Sequence, residues 1–187
     1  MDGAAALKLA MMFPGQGSQS VGMLASLAAS ESVVADTFAE ASAALGYDLC
    51  ALCPQGPAQR LAETEHPQPA MLAAGVAVWR AWQGRGGHAP DMMAGHSLGE
   101  YSALVCAGAI EFAVAVTLVR FRGQAMQRAV PAGAGAMAAI IGLEDSAIET
   151  ACAEAAQGEI VQPVNYNSPG QLVIAGHAAA VARAIEA

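Results

Sequence analysis

Five residues, Gly95-His96-Ser97-Leu98-Gly99, constrain this chain more than any other stretch. They lie between a short apolar run, Met92-Met93-Ala94, and a helix-forming segment from Glu100 to Ala107. A G-x-S-x-G run in that setting is the pattern of a nucleophile elbow. The turn is so sharp that the serine hydroxyl stands out at the carboxyl edge of a sheet. The helix that follows aims free N–H groups and its positive end at whatever the serine attacks. The glycines let the turn close and let a second segment approach. Parallel sheets of this kind carry helices on both faces, so the chain reads as α/β with Ser97 as candidate nucleophile. A plain surface turn is the competing reading of the same pentapeptide.

A second loop adds to this. Lys8 to Phe13 has the character of a buried first strand, and Pro14-Gly15-Gln16-Gly17-Ser18-Gln19 follows it directly. Glycines on both sides of Gln16 let a side-chain amide and backbone N–H groups come up to a ligand. Acyl transfer needs two donors where the tetrahedral oxyanion forms. In this reading the N–H of Leu98 supplies one and the Gln16 region the other. Taken by itself, the loop is an ordinary strand-to-helix turn.

The rest of the chain suggests two domains. Residues 1–130 contain only two clear strands, Lys8 to Phe13 and Asp91 to Ala94, among helical stretches. From Gly135 the order is strand (Ala136 to Ile141), helix (Asp145 to Ala156) and strand (Ile160 to Tyr166). A turn (Asn167 to Gly170), a strand (Gln171 to Ala175) and a helix from His177 follow. Residues 131–187 therefore read as a partial ferredoxin-like small domain, a β-α-β-β-α unit lacking its last strand. Residues 1–130 read as the N-terminal part of a hydrolase-like large domain with too few strands for its sheet. Both are expected to be incomplete at the C-terminus, which makes the chain a fragment in this reading.

Charge and composition narrow the function. A net charge of −8 argues against nucleic-acid binding, which needs a basic stripe. Asp2 and the lack of a basic n-region argue against an export signal. Ser102 to Val119 is apolar apart from Glu111, but Gly108 breaks it, so two packed helices are expected rather than a membrane span. Cys50 and Cys53 form an isolated C-x-x-C, and Cys106 and Cys152 stand alone; all four read as structural thiols in a reducing, cytoplasmic setting. No metal or redox cofactor is expected.

Several segments read as scaffold. Ser20 caps a short helix through Leu27 in this reading. Val33, Phe38, Ala41 and Leu45 mark an amphipathic helix ended by Gly46. Pro67-Gln68-Pro69 opens a helix whose Met71, Leu72, Val76, Trp79 and Trp82 form a core stripe. Gln68 reads as a polar helix-start residue, with a site-facing position as the alternative. On a helix from Phe112 to Ala129, Arg120 and Arg122 lie about 200° apart and cannot share a face. Val114, Leu118, Phe121 and Ala125 are its expected apolar face, with Arg122 at the border, placed to snorkel or to pair with a carboxylate. His96 reads as a neighbour shaping the pocket, and His66, His88 and His177 as solvent-facing or capping residues.

Six segments occur in a telling order: FPGQGSQ, QPAM at 68–71, GHSLGEYSALVCAG at 95–108, RGQAMQ at 122–127, GAMAAIIGL at 135–143 and VNYNSPGQLVIAG at 164–176. Together they resemble the malonyl-CoA:acyl-carrier-protein transacylases of dissociated bacterial fatty-acid synthesis. The resemblance covers roughly the first three-fifths of a family member. It implies that Ser97 takes up the malonyl group, Gln16 lines the oxyanion site and Arg122 holds the malonyl carboxylate. A guanidinium fork suits a carboxylate bidentately, and an acetyl group would leave a buried arginine unpaired. Malonyl-CoA and acyl carrier protein are the implied partners, and the latter, being acidic, would dock on a local basic patch. The family's catalytic histidine lies downstream of the VNYNSP segment, and this chain does not reach it. Little or no turnover by the chain alone is therefore expected. A serine hydrolase or thioesterase, or a non-catalytic piece, are the rival readings.

Overall fold

The structure, a computed structural model, describes residues 8–57, 61, 66–131 and 133–187. The export-signal reading rested on Asp2, which lies outside them. The chain divides into two compact units, one running through Met126 and the other spanning Gln127–Ala187.

The first unit is built on two short parallel strands, β1 (Ala10–Phe13) and β2 (Met92–Gly95), paired from Ala10 with Met92 to Phe13 with Gly95. Lys8 and Leu9 precede the strand. Leu9 is nonetheless tied to Asp91, its N–H donating to Asp91 Oδ2 at 2.8 Å and its carbonyl accepting from the Asp91 N–H at 2.8 Å. Between the strands come α1 (Ala25–Ala28), α2 (Ser32–Leu45), α3 (Leu49–Gln55) and α4 (Pro67–Gly84). After β2 come α5 (Leu98–Cys106) and α6 (Phe112–Ala129). The break at Gly108, with φ +74°, separates these last two helices as the sequence suggested. Among the described residues no helix is long and apolar enough to cross a membrane.

Alanine-rich α4 is buried on nearly all sides and packs on α2 and α5. Small side chains permit that closeness. At Gly75 an added Cβ would stand 3.1 Å from Ser102 Oγ and 3.2 Å from the Phe13 ring, so α4, α5 and β1 meet there. Asp48 caps α3 by accepting the Ala51 N–H at 2.9 Å, and Gly46, with φ +74°, ends α2.

Four scaffold expectations need correction. Ser20 caps no helix: Gly22 and Leu24 both take positive φ, and the helix starts only at Ala25. Trp82 is not core; it is 39% exposed, with its indole N–H donating to the His88 carbonyl. His66 is buried, edge-on to Tyr47 with ring centroids 5.0 Å apart, rather than solvent-facing. The expected apolar face of α6 is turned outward, with Val114, Leu118 and Phe121 exposed. Phe112, Ala115, Val116, Val119 and Gly123 are buried instead. That helix is apolar around most of its circumference, so its smaller residues decide which side packs closely.

The second unit is a three-stranded antiparallel sheet of order β3-β5-β4, from β3 (Gly135–Ile141), β4 (Val161–Ser168) and β5 (Gln171–His177). α7 (Asp145–Ala156) and α8 (Ala178–Glu186) pack with Leu172 and Ile174 to form its core. The hairpin is tighter than the sequence suggested. Asn167 and Ser168 belong to β4, and only Pro169 and Gly170 turn, with Ser168 opposite Gln171. Arg183 closes the end of α7, donating to the Ala155 and Ala156 carbonyls and pairing with Glu159 at 2.8 Å. His177 is exposed and stands at the N-cap of α8, as the sequence suggested, and its Nδ1 accepts the Ile160 N–H at 3.0 Å.

Candidate active site

The elbow begins where β2 ends. Ser97 holds φ 53° and ψ −107°, a conformation that is neither helical nor extended, and α5 starts at the next residue. Leu98, buried at the first helical position, has an N–H that no residue within the helix can accept. Two glycines make the turn possible. A Cβ on Gly95 would sit 1.9 Å from the Gly99 carbonyl carbon, and one on Gly99 would sit 2.1 Å from the Phe13 carbonyl oxygen. No larger residue fits either position without moving backbone.

β1 delivers the second loop to the same place. The His96 N–H donates to the Phe13 carbonyl at 3.2 Å, fastening the elbow to the end of β1. Gly15 then passes so close that an added Cβ would be 2.9 Å from the His96 carbonyl oxygen and 3.2 Å from its Nδ1. Gln16 follows, with an exposed side chain.

Arg122, on α6, is half-buried and reaches the serine directly: its Nη2 donates to Ser97 Oγ at 2.9 Å. Its Nη1 donates to Gln68 Oε1 at 2.9 Å, and its guanidinium stands 5.7 Å from the centre of the Tyr101 ring. Gln68, 1% exposed at the start of α4, donates through Nε2 to Gln16 Oε1 at 3.2 Å and to Met126 Sδ at 3.4 Å. A continuous polar chain thus runs Ser97–Arg122–Gln68–Gln16, drawn from four separate segments. Arg120 is elsewhere, donating to the Leu45 carbonyl and lying over the Tyr47 ring.

Two readings change here. Gln68 is not a plain helix-start residue but the buried centre of the chain. Its signal in the sequence is its place between two prolines, which fixes a helix start without saying what that start faces. Arg122 is not a deeply buried cation awaiting a partner, since a neutral amide already accepts one of its N–H groups.

The four cysteines are free. Burial pushes the Cys53 thiol up to about 12, with neighbouring Cys50 adding to the shift, and raises Cys152. Cys106 is likewise raised to about 12 by burial, against an opposing pull from Arg80. Among the described residues no group of three His, Cys, Asp or Glu side chains is placed to hold a metal ion.

Comparison with known proteins adds to the geometry. The acyl transferase domain profile matches residues 11–187. A malonyl CoA-acyl carrier protein transacylase of Escherichia coli is 67% identical over 177 residues, covering 95% of this chain and 57% of that protein. The Bacillus subtilis protein of the same name is 46% identical over 180 residues, covering 96% of this chain and 56% of its own length. This chain therefore spans just over half the length of the curated relatives it matches. Among solved structures, an acyl carrier protein S-malonyltransferase from Vibrio cholerae aligns with a TM-score of 0.92 at 65% identity, covering 95% of this chain and 58% of that one. A malonyl-transacylase solved with a type II polyketide acyl-carrier protein aligns at 0.94 and 62% identity, covering 96% and 58%.

Proposed function

The chain belongs to the acyl transferase domain family, and from that premise we propose that the protein transfers malonyl groups from malonyl-CoA to acyl carrier protein in fatty-acid synthesis. One observation carries the proposal: Arg122 Nη2 lies 2.9 Å from Ser97 Oγ. A malonyl group sets a single methylene between its thioester carbonyl and its carboxylate. Groups that engage both ends must therefore stand side by side, as these two do.

The reaction follows in two steps. Ser97 Oγ attacks the thioester carbonyl and gives up its proton to a base. The family resemblance implies that this base is a histidine located, in relatives, downstream of the VNYNSP segment. The Leu98 N–H and Gln16 stabilise the oxyanion, and Arg122 holds the distal carboxylate. The carbon–sulfur bond breaks, coenzyme A takes the proton from the base, and malonyl-Ser97 remains. The phosphopantetheine thiol of acyl carrier protein then attacks that ester, its proton passing through the base to Ser97 Oγ. Ser97, Arg122, Gln16 and the Leu98 N–H come from this chain, and no step is assigned to a metal or redox cofactor.

In this reading the first unit is the N-terminal part of a hydrolase-like large domain. The second is part of a ferredoxin-like small domain, a reading supported by its β-α-β-β-α succession and its β3-β5-β4 order. Acyl carrier protein is the acceptor in this reading, in keeping with the relatives' printed names, and the cytoplasm is the proposed compartment.

The test uses the protein expressed from its complete reading frame. Malonyl-CoA should label Ser97, and Ser97→Ala should abolish labelling. Arg122→Ala should lower the preference for malonyl over acetyl by about tenfold to a hundredfold, the worth of a charge-assisted hydrogen-bonded pair. Unchanged selectivity would overturn the transferase reading and favour a hydrolase of neutral esters.

A further inference from the structure

We infer that Gln68 is a positioning residue that sets the acyl-group selectivity of this site. The inference rests on the malonyl-transfer reading above and assigns to that reaction a residue beyond the serine, the arginine and the oxyanion donors.

Gln68 has no exposure to speak of, and each of its polar atoms is committed. Oε1 accepts from Arg122 Nη1, and Nε2 donates to Gln16 Oε1 and Met126 Sδ. The first bond turns the guanidinium so that its other amino group, Nη2, lies on the Ser97 side. The second holds Gln16 by its oxygen. One buried side chain therefore orients both the carboxylate-binding group and the loop that serves the oxyanion.

The chemistry of an amide is what the arginine needs. A buried glutamate at this position would form an ion pair with Arg122 and cancel its charge locally. The carboxylate of an incoming acyl group would then compete with a carboxylate already in place. Glutamine accepts the same hydrogen bond without charge, so the guanidinium is fixed in direction while its attraction for an anion persists. Among the described residues, the hydrogen-bond acceptors of Arg122, Gln68 Oε1 and Ser97 Oγ, are both neutral oxygens.

The two bonds of Gln68 predict separable effects. Loss of its hold on Gln16 should slow malonyl and acetyl transfer equally, because both pass through the same oxyanion. Loss of its neutral hold on Arg122 should penalise only the acyl group that carries an acid. The ratio of kcat/KM for malonyl-CoA over acetyl-CoA isolates the second effect.

Gln68→Glu and Gln68→Met, made in the protein expressed from its complete reading frame, test this. The glutamate variant should cut that ratio by about tenfold or more, chiefly through KM for malonyl-CoA. The methionine variant, uncharged and of similar length, should cut it by at least about threefold through lost orientation alone. If the glutamate variant fails to fold by circular dichroism, the methionine variant decides alone: a drop of threefold or more supports the inference, and a smaller one overturns it. Equal loss on both substrates assigns Gln68 a purely structural role and overturns the inference, leaving malonyl transfer itself intact. Absence of malonyl transfer by the unaltered protein overturns both readings together.

Discussion

Replacing Ser97 by glycine should leave a more stable protein than replacing it by alanine. Ser97 sits at φ 53° and ψ −107°, where a side chain crowds its own backbone. A residue held in so sparsely populated a region costs about 1–3 kcal/mol. Glycine escapes that cost but brings about 0.5–1 kcal/mol of extra chain entropy to be lost on folding. Taking the middle of both ranges, the glycine variant should exceed the alanine variant by about 1 kcal/mol. Both variants lose the hydroxyl and the same bond from Arg122, so their difference reports the backbone alone. Both tryptophans, Trp79 and Trp82, lie in the unit that contains Ser97. Tryptophan fluorescence during urea unfolding therefore follows the relevant unit. With a slope of about 2 kcal/mol per molar urea, the midpoints should differ by about 0.5 M. An alanine variant as stable as the glycine variant, or more so, would refute the claim that the elbow is strained.

Other consequences are testable. Gly99→Ala would place a Cβ 2.1 Å from the Phe13 carbonyl oxygen, so elbow and β1 must part by about 1 Å. Stability should fall by about 3 kcal/mol, the upper end for overpacking, and malonyl-Ser97 formation should slow by about a hundredfold; urea unfolding and mass spectrometry of the labelled serine check each. With its thiol at about 12, Cys53 should be alkylated at pH 8 about a thousandfold more slowly than an ordinary thiol of value 9.0. Peptide mapping after iodoacetamide treatment reads that out. Because folding raises the Cys53 and Cys106 values, the unfolded chain binds fewer protons above pH 9 than the folded one. Their contribution to stability is thus full below pH 9 and declines as pH rises towards 12, which a series of alkaline unfolding curves would show.

What the sequence displayed clearly were features written in adjacent residues. The elbow glycines, the pause at Gly108 and the extent of α7 all follow from short-range patterns, and the structure has them within a residue or so. Features that depend on distant residues were harder to read. Gln68 and Arg122 are 54 positions apart, and nothing local to either says that they meet. The packed side of α6 is hidden from the sequence for a different reason. Val114, Leu118 and Phe121 have good helical spacing, but so do Phe112, Ala115, Val116 and Val119. Periodicity cannot choose between two apolar faces; the neighbouring helix chooses, through the smaller side chains that let it come close. His66 follows the same logic, since a turn position said nothing about Tyr47 lying against it.

The pairing of β1 with β2 also bears on when this site comes into being. The residues that fasten the two strands, Leu9 and Asp91, are 82 positions apart. Closing so long a loop carries about 4 kcal/mol of chain entropy, which the intervening helices must first offset by assembling among themselves. On a ribosome, Phe13 therefore waits for its neighbour through the synthesis of four helices. The proposed nucleophile, Ser97, is by this argument a late arrival in folding, set in its turn only after the nascent helices have found one another.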